Sequence, residues 1–82
     1  MSHVSHELHD EFPDHLATLH RLKLSSPHFR TLAERHHALN HEINRIEAGL
    51  DPASDERTET LKKSRLALLD QVANMLDEAA NG

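Results

Sequence analysis

The chain of 82 residues contains no cysteine. Disulfides, thiolate metal sites and thiol nucleophiles are therefore excluded. Tryptophan and tyrosine are missing too, and Phe12 and Phe29 are the only phenylalanines. Base stacking has little to work with. Glycine occurs only twice, and apolar–polar alternation of period two is weak throughout, so no sheet is expected. No run approaches the roughly 20 apolar residues that a bilayer-spanning helix needs. An excess of positive charge is also absent. The formal net charge is -5 with the histidines neutral, and the basic residues are scattered among acidic ones. Phosphate and anionic headgroups call for a basic face, so neither nucleic acid nor a membrane surface is expected as a partner. The opening Met1-Ser2-His3-Val4-Ser5-His6 lacks the apolar segment of a secretory leader, which makes the cytoplasm the expected location.

What is present is helical punctuation. Residues 1–11 are polar and rich in histidine, with Leu8 as the main apolar side chain, and read as a flexible tail. Phe12-Pro13-Asp14 marks a helix start, with proline tolerated at the first position and Asp14 suiting the positive end of the dipole. A short helix is expected over 13–24. Ser25-Ser26-Pro27 breaks it, and Ser26 is placed to cap the next helix. The chain then runs without a breaker to Ala48, and Gly49 is a C-terminal cap. Asp51-Pro52-Ala53 is a turn and Ser54 a second N-cap. The expectation is a single helical domain over 12–80, with long helices at 28–48 and 54–80 and a two-residue tail, 81–82. Two long helices joined by a short connection pack antiparallel.

A heptad supports that pairing. Phe29, Leu32, His36, Leu39, Ile43, Ile46 and Leu50 alternate steps of three and four, and Leu61, Arg65, Leu68, Val72, Met75 and Ala79 do the same. Each set is the apolar seam of a coiled coil. In an antiparallel hairpin, facing residues share one constant sum of residue numbers. Ile43 with Leu61, Leu39 with Arg65, His36 with Leu68, Leu32 with Val72 and Phe29 with Met75 meet this condition, and their midpoint falls on Pro52. The fold expected is an all-α, antiparallel two-helix coiled-coil hairpin.

His36 and Arg65 interrupt the seam. The simpler reading is a satisfied, partly buried imidazole and an arginine that lays its stem along the seam with its head in water. The functional reading is that both fix the register of the hairpin, as polar seam residues do elsewhere. If burial keeps His36 neutral, its folded pKa lies below the ordinary value of about 6.5.

A second row, Leu66, Leu69, Ala73, Leu76 and Ala80, repeats the same spacing beside the first. The partner helix cannot cover all of it. Either the 13–24 helix folds back onto it or a second subunit packs there. A core this small supplies only about 3–5 kcal/mol, which favours a homodimer. An amphipathic row of this kind also suits another helical protein as partner.

Nine histidines raise the question of metal. His37 and His41 are four apart and share a helix face, a workable pair of imidazole ligands, but no third ligand is evident. Solvated surface histidines are the simpler reading. No cofactor is expected. Catalysis has less support: the sequence holds no Gly-rich phosphate loop and no placeable nucleophile arrangement, and a two-helix hairpin lacks a concave site for a small-molecule substrate. The chain is not expected to be an enzyme.

Phe12-Pro13, Leu19-His20-Arg21-Leu22-Lys23 and Pro27-His28-Phe29 are followed by Leu39-Asn40-His41-Glu42-Ile43, Glu47, Leu61-Lys62-Lys63, Leu66-Ala67-Leu68, Asp70 and Leu76. In this order and spacing, over residues 12–76, the chain resembles the YdcH-like family of small bacterial proteins. The resemblance implies a helical hairpin with coiled-coil character and no assigned activity, and it carries over no catalytic or ligand residue. Leu69 departs from the family pattern, which often has lysine there. The functional expectation is a small coiled-coil interaction module acting as a homodimer, with a histidine-based metal-binding or pH-responsive role as the alternative.

Overall fold

The computed structural model describes residues 7–81, with the side chain of Asn81 excepted. The first six residues of the expected tail lie outside this range, as does Gly82. The described residues form a one-turn helix α1 (Leu8–Glu11), a 3-10 turn (Pro13–His15), α2 (Leu16–Ser25), α3 (Pro27–Glu47) and α4 (Asp55–Asn81). No strand occurs among them.

The punctuation works locally as the residue types dictate. Phe29 N–H donates to Ser26 Oγ at 3.1 Å, and Pro27 follows as the first residue of α3, where its missing N–H is no loss. Arg57 N–H donates to Ser54 Oγ at 3.1 Å and so caps α4. α3 ends where Gly49 takes φ +78°, a left-handed conformation that glycine adopts without strain. Gly49 N–H donates to the Ile46 carbonyl, and Leu50 N–H to that of Arg45. The Arg45 side chain then closes the turn on Asp51, Nε to Oδ2 at 2.8 Å and Nη2 to Oδ1 at 3.2 Å.

Beyond the turn the chain doubles back, and α3 and α4 pack against each other. Arg57 pairs with Glu42, Lys62 with Glu47 at 3.1 Å, and Asn40 meets Arg65 at mid-length. Phe29 and Leu32 of α3 share one core with Val72 and Leu76 of α4, and Leu8 and Leu19 complete it. Ile43 and Leu61 are buried nearer the turn. α2 lies against both long helices.

Three expectations need correction. Residues 7–11 are not a loose tail: Leu8 is 8 % exposed and belongs to the core. The 13–24 helix opens as a 3-10 turn and becomes α-helical only at Leu16. Leu50 does not extend the seam. It lies past the end of α3, in the turn, and is 63 % exposed.

Candidate functional site

The middle of α3 carries an unusual concentration of buried polarity. His36 and Asn40, one helical turn apart, are both fully buried. Asn40 is satisfied on both sides. Its Nδ2 donates to Glu7 Oε2 at 2.9 Å, and its Oδ1 accepts from Arg65 Nη1 at 3.0 Å. Glu7 Oε1 accepts from Nδ1 of His37 at 3.2 Å. One continuous chain of polar contacts thus runs from the segment before α1, through α3, to α4. Burial pushes the Glu7 carboxyl up, but the hydrogen bonds from Asn40 and His37 and the charges of the two imidazoles outweigh it. The net shift is downward.

His36 stands apart from this chain. Neither ring nitrogen has a hydrogen-bond partner among the described residues. The expectation of a satisfied histidine is therefore overturned. Glu7, Arg65, Glu11 and His37 are the charged groups that act on the ring, and the Glu7 carboxylate is already bonded to Asn40 and His37. Burial lowers its pKa. Glu7 and Glu11 oppose that shift, while Arg65 and His37 add to it.

Arg65 is partly buried, and its guanidinium donates from Nη1 to Asn40 Oδ1. His37 is exposed and bonded to Glu7; His41 is exposed as well. No group of three or more potential metal ligands is assembled among the described residues.

The second apolar row is divided. Leu76 is buried in the core and Leu69 is half-buried against it. Leu66 is 60 % exposed, with Ala73 and Ala80 exposed on the same face. The fold-back of the N-terminal helices covers part of the row, and the rest stays open.

That fold-back also creates a concavity. A cavity of about 550 Å³ is lined by residues of α1, α2 and α3, among them Leu8, Leu16, Leu19, Lys23, Ala33 and His36. The expectation of no concave site fails because it considered two helices alone; the N-terminal segment supplies the missing wall. The volume is in the range of small-molecule pockets.

Sequence reasoning missed Glu7, Leu8 and Asn40. Leu8 stands four residues before Phe12, a helical spacing that hints at a shared face. Asn40 gave no comparable signal, since it sits beside Leu39 and off the heptad. α3 is faced by α4 on one side and the N-terminal segment on the other, so its buried face is wider than a two-helix seam.

These features define a small all-helical protein with two long packed helices and an N-terminal segment folded against them. A family model described as "Protein of unknown function (DUF465)" matches residues 29–76, and the chain belongs to this family. It is 31 % identical over 67 residues to "Uncharacterized protein YdcH" of Escherichia coli (strain K12), an alignment that covers 82 % of this chain and 90 % of that one. The protein of the same description from Shigella flexneri matches to the same extent. No solved structure matches. The family model begins at Phe29, so the walls contributed by α1 and α2 lie outside it.

Proposed function

We propose that the chain is a non-enzymatic interaction module whose long helices form a coiled-coil hairpin and whose open α4 face pairs with a second copy. The observation that carries this reading is Leu66. It is a large apolar side chain at 60 % exposure, and Ala73 and Ala80 continue its face at seven-residue intervals, the small residues letting a helix approach closely. The coiled-coil reading is supported by the burial of Phe29, Leu32, His36, Ile43, Leu61 and Val72, all of them seam positions. Another helical protein is the alternative occupant of the face, and the cytoplasm is the proposed location. No helix among the described residues is long and apolar enough to cross a membrane.

Analytical ultracentrifugation tests the proposal directly. The parent is expected to sediment as a dimer at tens of micromolar, and Leu66→Glu as a monomer with unchanged helical content. A parent that stays monomeric at that concentration overturns self-association. Capture of a helical partner that is lost with Leu66→Glu would then assign the face to another protein.

A second reading, pH response, is favoured by one specific observation. His36 is fully buried with both ring nitrogens unpartnered, so protonation places a charge where no acceptor waits for it. Loss of stability or dissociation as pH falls below the ordinary imidazole value of about 6.5 is the expected behaviour.

A further inference from the structure

The outer side of α4 carries charges that the chain leaves unpaired. Lys63, Leu66, Asp70, Ala73, Asp77 and Ala80 follow one another at alternating steps of three and four and are all exposed, so they form one continuous face. Lys62, beside them, is committed to Glu47 at 3.1 Å. Lys63, Asp70 and Asp77 make no ion pair with any described residue.

These charges are ordered along the helix. Lys63 stands seven residues before Asp70, and Asp77 seven residues after it. A two-fold axis at Asp70 therefore brings Lys63 of each copy to Asp77 of the other. The same operation sets Leu66 beside the partner's Ala73, large against small.

We infer that two copies pair through this face with their α4 helices antiparallel, each Lys63 ammonium against the partner's Asp77 carboxylate. The inference rests on the self-association proposed above and adds its orientation. A second copy is the fitting occupant because the face is complementary to itself. In an isologous contact residue i meets j and j meets i, and the equal spacings on either side of Asp70 satisfy that condition. An unrelated helix has no reason to repeat the order.

Parallel pairing is opposed by the same charges. It sets Lys63 level with Lys63 and Asp77 level with Asp77, and like charges brought together disfavour a pairing. The antiparallel arrangement has one like contact, between the two Asp70 carboxylates at the axis. Two attractive pairs outweigh it, since all three contacts join exposed groups and are screened alike.

The experiment combines sedimentation with a distance measurement. Lys63→Glu and Asp77→Lys are each expected to raise the dimer dissociation constant by about threefold or more, because symmetry breaks two pairs at once. The double variant is expected to return to within about twofold of the parent, and Asp70→Asn to lower the constant by about twofold or more. The chain has no cysteine, so a spin label on Glu56→Cys is unique. Antiparallel helices hold the two labels roughly 40 Å apart, parallel ones near the interaxial spacing of about 10 Å. Circular dichroism identifies any charge variant that fails to fold, in which case the label distance decides the orientation. A parent that stays monomeric at tens of micromolar removes self-association and this inference together. A dimer with the short distance, a folded Lys63→Glu chain that associates as tightly as the parent or tighter, a double variant no tighter than the single ones, or an unchanged constant in Asp70→Asn overturns the antiparallel pairing alone.

Discussion

Arg65 on α4 donates from Nη1 to Asn40 Oδ1 on α3 at 3.0 Å, and the far side of the same amide donates to Glu7 at 2.9 Å. Asn40 is thus the joint through which a cation and an anion from distant parts of the chain are held together. Replacing it with leucine removes both bonds and leaves a guanidinium and a carboxylate facing an apolar group. Unpaired polar groups of this kind cost about 1–3 kcal/mol. Asn40→Leu is therefore expected to lower the urea midpoint despite its greater hydrophobicity. A double-mutant cycle between Asn40→Ala and Arg65→Ala should return a coupling of about 0.5–3 kcal/mol. Strict additivity would mean that the contact carries no energy.

The acid response divides between two groups. His36 is held below its ordinary value by burial, so the folded state binds fewer protons than the unfolded one. Stability should be complete above about pH 6.5, the ordinary imidazole value, and be lost as pH falls toward the lowered folded value. Glu7 is also lowered, by its hydrogen bonds to Asn40 and His37 acting against burial. Its contribution is present above the ordinary carboxylate value and disappears as pH falls through the folded one. Chemical denaturation at stepped pH should show an upper decline missing from His36→Leu and a lower decline reduced in Glu7→Gln. Superimposable profiles for His36→Leu and the parent would remove His36 as the cause of the upper decline.

At the turn, a Cβ built on Gly49 meets nothing within 4 Å, while the backbone there holds φ +78°. The cost of Gly49→Ala is therefore conformational and not steric, about 1 kcal/mol. Ser26→Ala, which removes the cap on Phe29 N–H, should cost about the same. Both variants should keep the parent's helical content and shift only the thermal or urea midpoint.

These local devices were legible because each depends on its nearest neighbours. Serine before proline, glycine after a long run and serine before two acids mean the same thing in any context, and Ser26, Gly49 and Ser54 act as their spacing predicts. Leu8 and Asn40 were not legible for the opposite reason. Asn40 is buried because Glu7, distant in sequence, folds across it. Leu8 is buried because Phe29, Leu32, Val72 and Leu76 gather around it. Pattern reading along one helix assigns a face, but cannot tell how many neighbours cover that face. The second row of α4 shows the consequence: one spacing holds a core residue, Leu76, and an open one, Leu66.

That contrast gives the sharpest separation of stability from association. Leu76 is 2 % exposed and packs with Phe29, Leu32 and Val72, so Leu76→Ala opens a cavity in the core cluster that also holds Leu8 and Leu19 of the N-terminal segment. Truncations of this type cost about 2–5 kcal/mol, comparable to the whole stability expected of so small a domain. Leu66 leaves most of its surface in water already, and Leu66→Ala should change the unfolding midpoint of the isolated chain little. Under the interaction reading, the same change should raise the dimer dissociation constant, because it removes the largest apolar group on the open face. Measuring midpoint and sedimentation for both variants across a concentration series separates the two effects. If Leu66→Ala unfolds the chain while Leu76→Ala leaves it stable, the division between an inner and an outer side of α4 is wrong.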